Sequence, residues 1–220
     1  MENYSLPDAH YTDWLYLLLL ACGTILLICK SNAPKRFNAF SILPFYTKKL
    51  ELLSEFNPFN SLKRFETLLS LHSYLLLALA IFVIKVYLQD DLLQYGNYMT
   101  YIRILFFVLL FFLTKALANA FLEWVYGHDG QITLSGNLNL GYRIWASILL
   151  LPLIFLNIFL SQFHLIFTAL IGFFLVLTYT ISVFQSNIIL WKMPSPSYYK
   201  IFYICALEIS PIFFLITWLF

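Results

Sequence analysis

Six stretches of mostly apolar residues follow one another along this 220-residue chain, each near the length that a helix needs to cross a bilayer. A spanning helix takes about 20 such residues, because the hydrocarbon core is about 30 Å thick and a helix rises about 1.5 Å per residue. The stretches run from about 13 to 29, 67 to 88, 101 to 124, 143 to 160, 163 to 184 and 199 to 220. The fourth and fifth nearly merge, separated only by Ser161-Gln162, but together they are far too long for one crossing. Strands are the rival reading, since Phe, Tyr and Ile favour them. A barrel strand alternates apolar and polar residues, whereas 75–83 and 104–113 are apolar without interruption. The expected fold class is all-α, a polytopic bundle of six spans forming one transmembrane domain over 1–220.

Composition excludes the soluble alternative. The chain is 61% hydrophobic and 11% charged, against roughly 45–50% and about 25% in a soluble domain. A soluble core of this size could not hide that much apolar surface. A net charge of +2 gives no reason to expect nucleic acid as a partner; the lipid bilayer is the expected one. Cys22, Cys29 and Cys205 all lie in apolar stretches and form no CxxC pair, so they read as small core residues. Leu19-Leu20-Ala21-Cys22 faintly resembles a lipoprotein cleavage site, but the N-terminus before it is acidic where a signal peptide is basic.

Charge sets the expected orientation. The loop 30–66 holds Lys30, Lys35, Arg36, Lys48, Lys49, Lys63 and Arg64, while the tail before the first span has Glu2, Asp8 and Asp13 and no Lys or Arg. Basic loops stay in the cytoplasm, so this reading puts the loop 30–66 inside and, with six spans, both termini outside. Arg143, Lys192 and Lys200 agree, and Lys85 and Arg103 fall at outer ends. Trp124, Trp145 and Trp191 map to the inner boundary, and Trp14 and Trp218 to the outer one. The basic loop also interleaves Phe40, Ile42, Phe45, Leu52 and Phe56 with its charges. That mixture suits amphipathic interfacial segments on anionic lipids, broken by Pro44 and Pro58, or an ordinary cytoplasmic linker.

Polar groups inside spans are the candidate functional residues, because an ionised side chain at a helix centre costs about 2.5–3.5 kcal/mol. In the third span Lys115, Asn119 and Glu123 are spaced i, i+4, i+8 on one face, beside Ala116 and Ala120 with small-xxx-small spacing. That face is expected to point into the bundle. Glu208 in the sixth span sits at a depth like that of Lys115, which suggests an intramembrane pair, either structural or ion-coupled. His72 lies near the inner end of the second span, with Ser70 and Ser73 nearby. No second histidine matches its depth, so no metal site and no haem or other cofactor is expected. Gly127-His128-Asp129-Gly130 reads as turn chemistry. Pro152 and Pro211 are expected to kink the fourth and sixth helices. No His-Glu-x-x-His, Gly-x-Ser-x-Gly or P-loop occurs, and no catalytic residues are assigned.

Thr12-Asp13-Trp14, Pro34-Lys35-Arg36-Phe37, Leu151-Pro152 and Tyr203-Ile204-Cys205-Ala206-Leu207-Glu208-Ile209-Ser210-Pro211 together resemble the domain-of-unknown-function 4271 family. The resemblance covers nearly the whole chain, and its C-terminal part is the most specific. It implies an uncharacterised multi-span inner-membrane protein of Bacteroidota and supplies no activity or site. Three roles stay open: a non-enzymatic scaffold or accessory subunit of an envelope complex, a small transporter or channel subunit, and an enzyme on a lipid-linked substrate. The first leads, with a membrane-protein partner or a second copy of the chain as the expected contact. The third would draw on His72, His128 and Glu208.

Overall fold

The computed structural model describes residues 13–34, 37–38, 61–88, 98–126 and 131–192, with backbone alone at 61–64, 66, 119, 122–126, 131–140, 161 and 185–192. These residues form α1 (Asp13–Asn32), α2 (Ser61–Leu88), α3 (Tyr98–Tyr126), α4 (Gln131–Phe159) and α5 (His164–Lys192), with a single 3₁₀ turn at Ser161–Phe163. All five helices are long and apolar enough to cross a membrane by length and composition. The expected sixth span at 199–220 lies outside the described residues, as do the basic loop beyond position 38 and the Gly127–Gly130 turn.

The helices form because long apolar runs satisfy their backbone N–H and C=O groups within the segment, the requirement that lipid imposes. Local signals add to this. Asp13 stands in the first turn of α1 and Lys30 in its last, each opposite the helix-dipole charge there. The α4–α5 connection is as short as the sequence suggests. Leu160 N–H still bonds the Leu156 carbonyl at 2.8 Å, and Phe163 N–H bonds the Leu160 carbonyl at 3.0 Å. These two bonds reverse the chain within one turn. α4 starts twelve residues before the apolar run at 143, carrying polar Gln131, Ser135, Asn137 and Asn139 into the helix. It also runs through Pro152 without losing helical assignment. Proline there removes one N–H, leaving the Ile148 carbonyl without its helical donor.

α2 and α4 each pack against all four other helices, and α2 is the more deeply buried. Of its apolar window 56% is buried, against 17–39% in the other four. Ala78 and Ala80 on α2 are fully buried, and such small residues let neighbouring backbones approach closely. Side-chain contacts establish the up-and-down order. At one end, Trp14 of α1 meets Phe82 of α2 and Tyr101 of α3 with ring centroids 5.6 and 5.4 Å away. Tyr16 of α1 meets Phe159 of α4 at 5.3 Å. Tyr87 of α2 stacks on His164 of α5 at 5.7 Å. At the other end, Cys29 of α1, Phe65 and Leu69 of α2, and Tyr142 and Ile144 of α4 form a separate buried cluster, with Ile181 of α5 against it. This second end is where α1 leads into the basic segment and α2 leaves it; it is called the basic end below.

The outer faces are broadly apolar. Leu17, Leu20 and Leu27 on α1, Phe106, Leu113 and Leu117 on α3, and Leu165, Phe173 and Val176 on α5 are all more than half exposed. In water such a surface would drive aggregation; against lipid tails it is neutral. The fold is thus compatible with a membrane location.

Candidate functional site

Among the described residues the polar side chains of the interior gather at two levels, one toward each end of the bundle. The level nearer the basic end is built by α2, α3 and α4. His72 of α2 is fully buried, and its Nδ1 lies 3.2 Å from Ser147 Oγ of α4. Ser147 Oγ also donates to the Ile144 carbonyl of its own helix at 2.7 Å. A hydroxyl has one proton to give. With that proton on the Ile144 carbonyl, Ser147 accepts from His72, so the imidazole carries its hydrogen on Nδ1. Its Nε2 is then a bare lone pair, and it is buried with no hydrogen-bond partner. Ser73 does not serve the histidine; it donates to the Ser70 carbonyl at 2.7 Å within α2.

One turn from Ser147 on the same face of α4 stands Arg143. Its guanidinium carbon is 4.4 Å from the ring centre of Tyr74 on α2 and 4.4 Å from that of Phe112 on α3. The two rings are themselves 5.1 Å apart, tilted by 48°. A cation over an aromatic face gains about 0.5–1 kcal/mol when exposed and about 2 when desolvated. Two aromatic faces therefore offset part of the cost of holding an arginine near the end of an apolar window. The two rings therefore lie side by side against the guanidinium, and Arg143 Nε–H is buried with no acceptor.

The second level lies around the α4–α5 hairpin. Asn157 of α4 is fully buried and donates through Nδ2 to Thr168 Oγ1 at 2.9 Å and to the His164 carbonyl at 3.2 Å. His164 Nδ1 lies 3.1 Å from the same Thr168 hydroxyl. The cluster staples the start of α5 to the end of α4. Asn157 Oδ1 is buried without a partner.

The residues singled out in the sequence fall in different places. α3 is continuous through Lys115, Asn119 and Glu123, so their spacing does set them on one side of one helix. Lys115 is half-buried, while Ala116 and Ala120 beside it are exposed, with no helix among the described residues covering them. The expectation that this strip faces the bundle interior therefore fails at the two alanines. The side chains of Asn119 and Glu123 lie outside the description, and so do Glu208, Pro211 and His128 in full. Cys22 and Cys29 are buried and unbonded. No group of three or more His, Cys, Asp or Glu that could hold a metal occurs among the described residues. Arg143, Ser147, Asn157 and Thr168 were not marked as functional by sequence alone; the i, i+4 spacing of Arg143 and Ser147 is the signal that could have drawn attention to the first pair.

This arrangement defines a class: an α-helical bundle whose five described helices are long and apolar enough to cross a membrane, with two interhelical polar clusters in its interior. The chain belongs to the family of a domain of unknown function, DUF4271, whose family model matches residues 15–219. That match takes in every described helix and continues through the region of the expected sixth span. No curated protein and no solved structure matches the chain.

Proposed function

We propose that this chain is a six-span protein of a bacterial inner membrane, with the basic segment cytoplasmic and both termini periplasmic. It acts there as a non-enzymatic scaffold or accessory subunit of a cell-envelope complex. The observation that carries the reading is the exposed strip on α3, where Ala116 and Ala120 stand open one helical turn apart between exposed Leu113, Leu117 and Phe121. Lipid gains nothing special from a small-residue strip, whereas a partner helix can pack its backbone closely against one. His72 with Ser147, and Asn157 with Thr168, are by contrast tied to each other between helices. A tagged chain extracted from native membranes in mild detergent is expected to co-purify with one membrane protein at fixed stoichiometry. Ala116→Leu with Ala120→Leu should release that protein while leaving the bundle folded. A chain that runs alone, or a complex indifferent to both leucines, would refute the role.

A small proton- or ion-coupled transporter is the second reading. It is favoured by the buried, unsatisfied nitrogens of His72 and Arg143, since incompletely paired polar groups inside a membrane often mark a pathway. In that reading Lys115 and Glu208 form the coupling pair. Glu208→Gln should then abolish uptake with expression unchanged; uptake that survives the change removes the pair from the mechanism.

A further inference from the structure

The cluster at the α4–α5 hairpin holds a histidine whose protonation state can be read from its neighbours. Asn157 Nδ2 lies 3.2 Å from the His164 backbone carbonyl. A carbonyl only accepts, so the amide presents its nitrogen there, and this fixes which way Asn157 points. The same nitrogen reaches Thr168 Oγ1 at 2.9 Å, so the hydroxyl accepts from it. Thr168 then has one proton of its own to place, and His164 Nδ1 stands 3.1 Å away to take it. The bonds therefore run from Asn157 through Thr168 to His164, and they need a bare lone pair on Nδ1. A neutral imidazole with its hydrogen on Nε2 supplies that lone pair. A protonated ring donates from both nitrogens and does not.

Two other threonines of α5 show what Thr168 does otherwise. Thr178 and Thr180 turn their hydroxyls back to carbonyls four residues earlier in the helix, at 2.7 Å each. Helical threonine divides between two rotamers because this back-bond is available. Thr168 is instead turned across to Asn157 of α4. A hydrogen on His164 Nδ1 would meet the hydrogen of the Thr168 hydroxyl, which is buried. In the back-bonding rotamer that hydroxyl regains an acceptor, but it leaves Asn157. Asn157 Oδ1 already lacks a partner, so the amide would then be held by the His164 carbonyl alone.

A proton can reach the ring. His164 is half-buried, it follows directly on the 3₁₀ turn Ser161–Phe163, and Gln162, Phe163 and Leu165 beside it are exposed. α4 and α2 are the helices packed against α5. α4 carries no titratable residue between Trp145 and Phe159. α2 brings Tyr87, stacked on His164 at 5.7 Å and 15°, and carries Lys85 half a turn earlier. Asp13 and Tyr16 of α1 and Tyr98, Tyr101 and Arg103 of α3 are the other such residues described at this end. Histidine is the side chain that ordinarily changes charge between about pH 5 and 8.

We propose that His164 is a pH-sensitive latch on the α4–α5 hairpin. Neutral, it keeps Thr168 on Asn157 and the start of α5 fastened to α4; protonated, it releases Thr168 from Asn157 and the hairpin loosens. Because the closed form holds the neutral ring, the fastening is complete at neutral pH and is lost as the pH falls. In the topology proposed above the hairpin faces the periplasm, so the latch answers to acidity on that side. The latch itself requires neither that topology nor the scaffold role, and its test on the purified chain is separate from theirs.

That test is hydrogen–deuterium exchange of the full chain in detergent at pH 7 and pH 5, corrected for the intrinsic pH dependence of amide exchange. One proton taken up on opening shifts the opening equilibrium by up to about tenfold per pH unit. Protection over 160–168 should therefore fall about tenfold or more between the two conditions, while 76–83 in α2 keeps its protection. His164→Asn places an oxygen acceptor near the position of Nδ1 but takes up no proton, so its hairpin should exchange alike at both pH values. Thr168→Val cuts the chain of bonds and should leave the hairpin equally loose at both. Wild-type protection over 160–168 that does not change relative to 76–83 overturns the proposal, and that outcome needs no variant. So does a pH response that survives in His164→Asn or in Thr168→Val, since it would belong to another group.

Discussion

Replacing Ser147 with alanine removes the acceptor of a buried imidazole N–H, and the structure allows its cost to be worked out. In the native bundle His72 donates through Nδ1 across 3.2 Å to Ser147 Oγ, while its Nε2 is already without a partner. Once Ser147 is gone, neither ring nitrogen has a partner, and moving the proton to Nε2 gains nothing. An orphaned buried donor costs about 1–3 kcal/mol. Interhelical hydrogen bonds in membrane bundles contribute about 0.6 kcal/mol on average and up to about 1.7, because the unfolded chain in lipid also finds partners. The two ranges meet at about 1–2 kcal/mol, or a fall of about 2–8 °C in melting temperature for a chain of this size. His72→Leu should behave differently. It removes the N–H and the unpaired lone pair together, and Ser147 keeps its bond to the Ile144 carbonyl at 2.7 Å. The leucine variant should therefore be neutral or slightly more stable. In its background Ser147→Ala should cost less than about 0.5 kcal/mol, giving a coupling energy of about 0.5–2 kcal/mol. Unfolding in mixed micelles with increasing dodecyl sulfate, followed by tryptophan fluorescence, measures all four corners of the cycle. Equal costs of Ser147→Ala in both backgrounds would refute the tautomer argument. A loss above about 3 kcal/mol in His72→Leu would show that Nε2 bonds something essential.

Two other substitutions probe the opposite end. Phe82 is fully buried between Trp14 and Tyr101. In lipid the transfer part of the loss drops out, so Phe82→Ala should cost chiefly its cavity, about 2 kcal/mol for a hole of roughly 80–100 Å³ at about 24 cal/mol per Å³; unfolding in mixed micelles checks it, and a change under about 0.5 kcal/mol would contradict the packing. Asn157→Leu removes both bonds to the α5 start, at Thr168 and at the His164 carbonyl. It should speed amide exchange selectively over 160–168 and cost about 1–2 kcal/mol, whereas uniform exchange across the chain would mean that the cluster does not hold the hairpin.

Much of this architecture can be read from hydropathy, and the exceptions have physical causes. The five helices stand where the apolar runs lie, because in lipid an uninterrupted apolar run has no other way to satisfy its backbone. The early start of α4 at Gln131 does not show, since hydropathy reports where a helix meets lipid and not where its backbone hydrogen bonding begins. The α4–α5 turn was legible because two polar residues interrupt a run too long for one crossing. Arg143 read only as a boundary charge obeying the orientation bias. Its partners Tyr74 and Phe112 come from two other helices, and nothing along one helix predicts which aromatic rings the packing will bring against it. His72 was conspicuous as a histidine in a span, but its partner Ser147 lies 75 residues away. The alanine strip on α3 shows the reverse failure. Its spacing implied a covering helix inside the bundle, while the strip is open among the described residues.

The central claim is that the bundle crosses a membrane with its basic end in the cytoplasm, where Arg143 and His72 then lie. Single cysteines in a variant lacking Cys22, Cys29 and Cys205 test it directly. One replaces Lys48 in the basic segment, and another replaces Gln162 in the 3₁₀ turn between α4 and α5. In spheroplasts, a membrane-impermeant maleimide should label Gln162→Cys at once and Lys48→Cys only after the membrane is opened. Labelling of Lys48→Cys in intact spheroplasts, or of both sites equally, would contradict the account.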